Sequence, residues 1–177
     1  MKKDKLRLLI TTACPRNCKL CCNKSWNFDK LPVVETFDYK EIMITGGEPG
    51  LFPGSVSNLA RSIKTTAKAT GAEVPKVYVY TAISNKKTIF TILPCVDGIV
   101  LTIHDKADIP DFIALNDHLL KNVDIFSCYS LRLNIFNRKM LPAGIDLSMW
   151  KVKEIHWIKD CPVPADEDFK RIAKLYL

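Results

Sequence analysis

The chain has 177 residues, a formal net charge of +7 and 47% hydrophobic residues. This length is typical of a single domain, and the hydrophobic content is sufficient for a complete core. The 26 Lys and Arg residues are dispersed along the chain, without the dense basic block that is typical of a nucleic-acid-binding tail. We therefore expect one domain over residues 1–177.

The sequence also shows no targeting pattern. No apolar run approaches the roughly 18 residues that a membrane-spanning helix needs. The apolar run behind the charged residues 1–5 is too short for a secretory signal. The seven cysteines are an odd number, with three of them clustered, which fits a reducing compartment. We expect a cytoplasmic protein that does not associate with a membrane.

The first apolar run, residues 6–10, predicts a strand, and a cysteine-rich loop follows it. Cys14, Cys18 and Cys21 have the spacing C-x3-C-x2-C, and Cys22 adjoins them as a rival ligand. Thiolates are soft ligands suited to iron–sulfur clusters, zinc and copper(I). A structural zinc needs four protein ligands, and no second C-x2-C pair occurs in the chain. The cysteines alone leave an iron–sulfur site and a zinc site open.

The second motif is Gly46-Gly47-Glu48-Pro49, directly after an apolar run at residues 42–45. Between the two motifs, residues 25–40 have no clean helical period, so we expect an irregular crossover. A cysteine loop after the first strand and this glycine motif after the second strand together resemble the radical S-adenosylmethionine (SAM) superfamily. The chain departs from that family's pattern at Leu20, which stands where an aromatic residue is usual.

The rest of the chain alternates apolar runs with helical segments. Ser55 is a plausible N-cap for a helix that Gly71 ends, and Asp108 is a plausible cap for another. The predicted strands are residues 6–10, 42–45, 77–81, 98–104, 131–136 and 152–158, and the last predicted helix is residues 166–177. Such alternation predicts an α/β fold with a parallel sheet. The family resemblance implies its finer form, a (β/α)6 partial TIM barrel of six parallel strands.

The resemblance also implies a chemistry for the two motifs. Cys14, Cys18 and Cys21 would hold three irons of a [4Fe–4S] cluster, and the fourth iron would bind the amino and carboxylate groups of SAM. Reductive cleavage of SAM would give methionine and a 5′-deoxyadenosyl radical, which abstracts hydrogen from a substrate. The protein would hold and orient these cofactors. No catalytic side chain is assigned.

Further contacts to SAM are expected where the strands end, because parallel α/β folds collect reactive groups there. Thr102 and His104 share one face of a strand by alternation, which would leave Leu101 and Ile103 under helices. A charge at a barrel-facing position needs a partner, which favours Arg132 as a SAM contact. The expected SAM contacts are Gly46, Gly47, Glu48, Pro49, Thr81, Thr102, His104, Arg132 and Asn134.

The expected substrate and partners follow from the resemblance. An electron donor such as flavodoxin or ferredoxin is expected, and the lone Cys161 near the C-terminus predicts no second cluster. A partial barrel with an open side suits a protein or peptide substrate, as for glycyl-radical activases. A small-molecule or nucleotide substrate is the alternative. Outside this class, the chain would be a non-catalytic zinc-binding module or a cluster-binding protein that does not cleave SAM.

Overall fold

One parallel sheet forms the centre of the fold. The computed structural model describes residues 3–18, 20–24, 26–158 and 162–177, and the sheet that these residues form has seven strands. The strands are β1 (Lys5–Thr11), β2 (Glu41–Thr45), β3 (Lys76–Thr81), β4 (Gly98–Ile103), β5 (Ser130–Ile135), β6 (Lys151–Glu154) and β7 (Glu167–Tyr176). Their order is β6-β5-β4-β3-β2-β1-β7, and every neighbouring pair is parallel. The predicted α/β class with a parallel sheet is confirmed.

The helices pack on one face of this sheet. Within the described residues, the α-helices are α1 (Pro53–Thr70), α2 (Lys86–Ile92), α3 (Ile109–Lys121) and α4 (Val123–Phe126). Leu101 and Ile103 are buried in the core with residues of α1, α2 and α3, as predicted. Because side chains alternate along a strand, the residues adjacent to Leu101 and Ile103 in β4 have their side chains on the opposite face. This opposite face, the open face, includes Tyr80, Thr102, Arg132 and Asn134.

Local sequence explains where α1 begins and ends. The helix begins at Pro53, before the predicted cap Ser55. Proline is tolerated in the first turn of a helix because the N–H groups of that turn have no carbonyl partner within the helix. Helix α1 ends at Gly71, as predicted, with a φ of 70° that glycine adopts freely. Neither α1 nor any other helix in the described ranges has both the length and the apolar character needed to cross a membrane.

The C-terminal segment is a strand, so the predicted helix at residues 166–177 is wrong. Glu167–Tyr176 forms β7, which pairs with β1 on the side away from β2. The apolar residues of this segment have a helical spacing, but β1 offers a row of backbone groups that would otherwise lack partners. The Thr11 hydroxyl donates to the Tyr176 carbonyl oxygen at 2.7 Å at the end of the pair. The sheet therefore has seven strands where six were predicted.

Two other segments bear on the site. Strand β6 ends at Glu154, whereas the sequence predicted a strand to residue 158, and residues 159–161, including Cys161, lie outside the described residues. The irregular crossover predicted over residues 25–40 is confirmed, because its described residues form only one short 3₁₀ turn, Phe28–Lys30, and an isolated parallel bridge from Val33 to Arg171 of β7. Another short 3₁₀ turn, Cys22–Lys24, lies in the preceding cysteine loop. Trp26 of this crossover packs on Phe169 of β7, with ring centroids 5.1 Å apart.

Candidate functional site

The three motif cysteines lie on the loop that leaves the carboxyl end of β1. Cys14, Cys18 and Cys21 are half-buried free thiols, and the side chain of the rival ligand Cys22 lies outside what the structure describes. Burial raises the pKa of the Cys14 thiol. Burial is also the main cause of the raised pKa of Cys18, and the nearby Cys21 and Cys14 raise it further. Neighbouring thiols of the loop thus add to the effect of burial on the pKa of Cys14 and Cys18. Within the described ranges, no three His, Cys, Asp or Glu side chains are arranged to hold a metal ion.

The glycine motif lies directly against the start of this loop. The Gly47 N–H donates to the Thr11 carbonyl oxygen at 2.7 Å, and the following N–H donates to the Ala13 carbonyl oxygen at 2.8 Å. A Cβ atom on Gly47 would stand 2.2 Å from the Ala13 oxygen, which leaves no room for a side chain. Gly46 has a φ of 153°, and a Cβ atom there would stand 2.3 Å from the Thr11 oxygen. The two glycines thus allow β2 to approach the cysteine loop.

Glu48, the acid of this motif, is buried against the end of β3, with 2% of its surface exposed. One carboxylate oxygen accepts hydrogen bonds from the Thr81 hydroxyl and from the Gly50 N–H. The other accepts from the Ala82 N–H at 2.8 Å. Burial raises the pKa of Glu48, and these three hydrogen bonds and the Arg16 charge only partly offset that effect. Glu48 and Thr81, both predicted SAM contacts, are thus bonded to each other.

Sequence reasoning missed Arg16, which stands inside the cysteine loop. Its guanidinium forms a bidentate ion pair with Asp108, with Nη1 to Oδ2 at 3.1 Å, and Nη2 also donates to the Ala82 carbonyl oxygen. Asp108 further accepts from the N–H groups of His104 at 2.8 Å and Asp105 at 3.3 Å, and it makes none of the predicted cap bonds to α3. Burial raises the pKa of Asp108, but Arg16 and these N–H groups bring it below its ordinary value. The pair joins the cysteine loop to the ends of β3 and β4.

His104 lies in an aromatic cluster with Phe136 and Trp157. The His104 ring is 5.5 Å from the Phe136 ring and 5.7 Å from the Trp157 ring, between centroids. Its Nδ1 atom is buried and has no hydrogen-bond partner among the described residues, which is unusual for a buried polar atom. Burial and then the Arg16 charge lower the pKa of His104, so the ring is neutral at pH 7. The structure thus leaves one polar atom of this ring unsatisfied.

Three other predicted contacts lie on the open face of β4 and β5. Thr102 and Asn134 are cross-strand neighbours, and both are half-buried. Arg132 is two residues before Asn134, which puts its Cα about 6.6 Å further from the strand end. Its guanidinium lies over the Tyr78 ring, 5.2 Å from the centroid. Thr102 and Asn134 are therefore the members of this group nearest the carboxyl edge.

The fold brings the cysteine loop, the glycine motif and the His104 cluster to one edge of the sheet, and Pro49 is buried in the turn beside them. Three partly accessible thiols on one loop are the donor set that iron–sulfur clusters take, so these residues fit such a group in their chemistry, although their side chains are not arranged around one metal position. Phe136 and Trp157 were missed, although their places at strand ends were a usable signal. No protein-family model and no curated protein matches the chain.

Proposed function

We propose that the protein is a radical SAM enzyme that holds a [4Fe–4S] cluster on Cys14, Cys18 and Cys21. The observation that carries the proposal is the pair of N–H···O hydrogen bonds between the glycine motif and the start of the cysteine loop. Because of these bonds, two independent sequence motifs lie side by side at the carboxyl edge of a parallel sheet. Ligands of α/β proteins bind at that edge.

Each motif has a task in this proposal. The three thiolates would hold the cluster, and SAM would bind at the cluster beside the glycine motif. The chemistry supplied by the bound cluster and SAM is one-electron cleavage of the sulfonium, which gives methionine and a 5′-deoxyadenosyl radical that takes hydrogen from the substrate. The polypeptide binds and orients these groups and keeps the substrate near the radical.

The glycine motif is proposed to receive the amino-acid end of SAM. Gly46 and Gly47 carry no side chain, so their backbone can approach the ligand closely. Glu48 supplies negative charge near the SAM ammonium, and the hydrogen bonds from Thr81 and Ala82 hold that carboxylate in place. Pro49 fixes the turn that follows. In this arrangement Thr81 acts through Glu48 as a positioning residue.

The ends of β4 and β5 are proposed to receive the ribose and adenine. Thr102 and Asn134 present a hydroxyl and an amide side by side, which suits the ribose hydroxyls. His104 follows on the same strand, and its unpartnered Nδ1 can bond SAM or the substrate. Arg132 lies further from the carboxyl edge than these residues.

The proposal extends to the architecture and the setting. The sheet is proposed to curve as a partial barrel of the (β/α)6 type, with β7 added beside β1. An electron donor such as flavodoxin or ferredoxin would reduce the cluster. The reducing cytoplasm suits half-buried thiols and an oxygen-labile cluster.

Anaerobic reconstitution with iron and sulfide tests the cluster, and incubation with SAM and dithionite tests the cleavage. Wild-type protein should bind a full complement of iron and sulfide and release 5′-deoxyadenosine. Alanine at Cys14, Cys18 or Cys21 should abolish iron binding. Cys128→Ala is the matched control, because it removes an exposed free thiol outside the loop. Circular dichroism of each variant separates a lost cluster from a lost fold.

Three results would contradict parts of the proposal. Protein that binds zinc but never iron and sulfide would be a zinc-binding module. An essential Cys22 together with a dispensable motif cysteine would overturn the ligand set. A complete cluster without 5′-deoxyadenosine would identify a cluster-binding protein that does not cleave SAM.

A further inference from the structure

A basic pocket lies on the open face, beside the strand ends where SAM is proposed to bind. It has a volume of ≈ 530 Å³, and its lining includes Tyr80, Arg132, Asn134, Lys151 and Lys153. This volume falls within the range of small-molecule sites, roughly 300–1,000 Å³. Among the residues that the structure describes, no acidic side chain lines the pocket. Its size and charge suit a small anion.

The cations of this pocket are not neutralised by any acidic side chain in the described ranges. None of Arg132, Lys151 and Lys153 forms an ion pair within the part of the chain that the structure describes. Arg7, on the same face of the sheet, differs because its Nε and Nη2 atoms bond Glu167 at 3.0 and 2.8 Å. Three like charges in one cavity repel one another, and an anion would relieve that repulsion.

The pocket is built as two rows of polar side chains across β5 and β6. Asn134 pairs in register with Lys153, and Arg132 pairs with Lys151. The Asn134 row is level with Thr102, where the ribose of SAM is proposed to bind. The Arg132 row lies about 6.6 Å further from the strand ends. If the anionic group of a substrate is bound in the Arg132 row, the rest of the molecule can extend toward the strand ends, where the radical is proposed to form.

We infer that this pocket binds the phosphate or carboxylate group of a small anionic substrate. The inference rests on the proposed radical SAM function and names the substrate class of that site. Arg132 offers the planar fork that bonds such groups through two N–H donors, and the Tyr78 ring supports the guanidinium from one side. Among the described residues, the Tyr80 hydroxyl forms one hydrogen bond, a long one of 3.9 Å to the Met43 sulfur, so it can also donate to the anion.

A competing explanation exists for the two lysines. Strand β6 is at the edge of the sheet, and lysines on edge strands prevent pairing with other chains. That explanation does not extend to Arg132, which lies on an interior strand, or to Tyr80, two strands further in. The pocket unites residues from the four strands β3 to β6, which favours binding over edge protection.

Calorimetric titration with two probe anions, inorganic pyrophosphate and citrate, tests the inference in a buffer free of other phosphates and carboxylates. Wild-type protein should bind at least one probe, and the preferred probe tells phosphate from carboxylate. Lys151→Gln/Lys153→Gln and, separately, Arg132→Gln should bind at least tenfold more weakly. The control Lys68→Gln/Lys121→Gln removes the same charge from exposed ends of α1 and α3 and should bind as wild type does. Thermal unfolding confirms that each variant is folded.

Each alternative outcome is distinct. No binding of either probe, or an equal loss in the control, overturns the inference and leaves the lysines as edge protection. A parallel loss of SAM affinity in Lys151→Gln/Lys153→Gln assigns the pocket to the SAM carboxylate and also overturns it. Anion binding by protein that never assembles a cluster keeps the pocket and rejects the radical SAM proposal alone.

Discussion

Arg16 and Asp108 are 92 residues apart in the chain and meet as a bidentate ion pair at the carboxyl edge of the sheet. Arg16 belongs to the loop between Cys14 and Cys18, and Asp108 precedes α3. Their side chains are 20% and 9% exposed, so the pair is largely shielded from water. The polypeptide itself therefore anchors the cysteine loop, independently of any metal.

Asp108→Asn should loosen this anchor. The substitution keeps the shape but removes the charge, so the unfolding free energy of cluster-free protein should fall by about 1.5–3 kcal/mol, the usual value of hydrogen bonds to charged groups. Asp111→Asn, at an exposed acid in the first turn of α3, should cost less than about 1 kcal/mol. Urea unfolding measures both variants. Equal stabilities would show that the ion pair contributes nothing measurable.

Gly47→Ala should destabilise the protein strongly. Its Cβ atom would stand 2.2 Å from a backbone oxygen of the cysteine loop, so the loop must move. We expect a loss of at least about 2 kcal/mol, near the upper range for overpacking. Gly54→Ala is the control, because nothing lies within 4 Å of a Cβ atom there and alanine favours the helix. Urea midpoints compare the two, and a tolerated Gly47→Ala would refute the close approach of β2 to the loop.

Glu48→Gln should destabilise the fold as well as weaken SAM binding. An amide accepts through one oxygen only, so its NH₂ group would face the Ala82 N–H or the Thr81 and Gly50 donors. A buried polar group left without a partner costs about 1–3 kcal/mol. Glu73→Gln, at an exposed acid, should stay within about 0.5 kcal/mol of wild type. A Glu48→Gln protein as stable as this control in urea would mean that these hydrogen bonds do not support the turn.

His104 should make stability depend on pH in mildly acid solution. Burial and then Arg16 lower the pKa of His104, against the opposing charges of Asp108 and Asp105. The folded state therefore binds fewer protons than the unfolded state, and stability is lost as the pH falls below about 6.5, the unfolded value. Unfolding free energies at several pH values between neutrality and mild acid measure this loss, which should be smaller in His104→Phe. Identical pH profiles would show that the ring titrates normally.

The elements that were predicted correctly are those that local patterns determine. Strands β2 to β5 are short apolar runs, and α1 has an apolar stripe that ends at Gly71. The β7 segment has apolar residues at helical spacing as well, and local reasoning therefore predicted a helix. Its true partner is β1, and the Arg7–Glu167 contact between them spans 160 residues. The residue pattern of one segment carries no information about a strand partner that is so distant in the chain.

The same limit applies to the candidate site. The cysteines and the glycine motif were visible because each is a compact run of special residues. Arg16 was not, because its role depends on Asp108, which is distant in the chain. Likewise, Glu48 was predicted as a ligand contact, but its burial and its bonds to the end of β3 appear only in three dimensions.

The pairing of β1 with β7 determines when the root of the cysteine loop makes its contact with the C-terminal strand. The entropy cost of loop closure increases with the separation of the paired segments in the chain, and the folding rate decreases. The pairing of β1 with β7 joins segments from the two ends of the described chain. During synthesis, β1 to β5 can assemble while one side of β1 still lacks its neighbour. The Thr11 hydroxyl, at the root of the loop, finds the Tyr176 carbonyl only after that residue is made. We therefore expect the proposed cluster to be inserted only after β7 has been synthesised and has paired with β1.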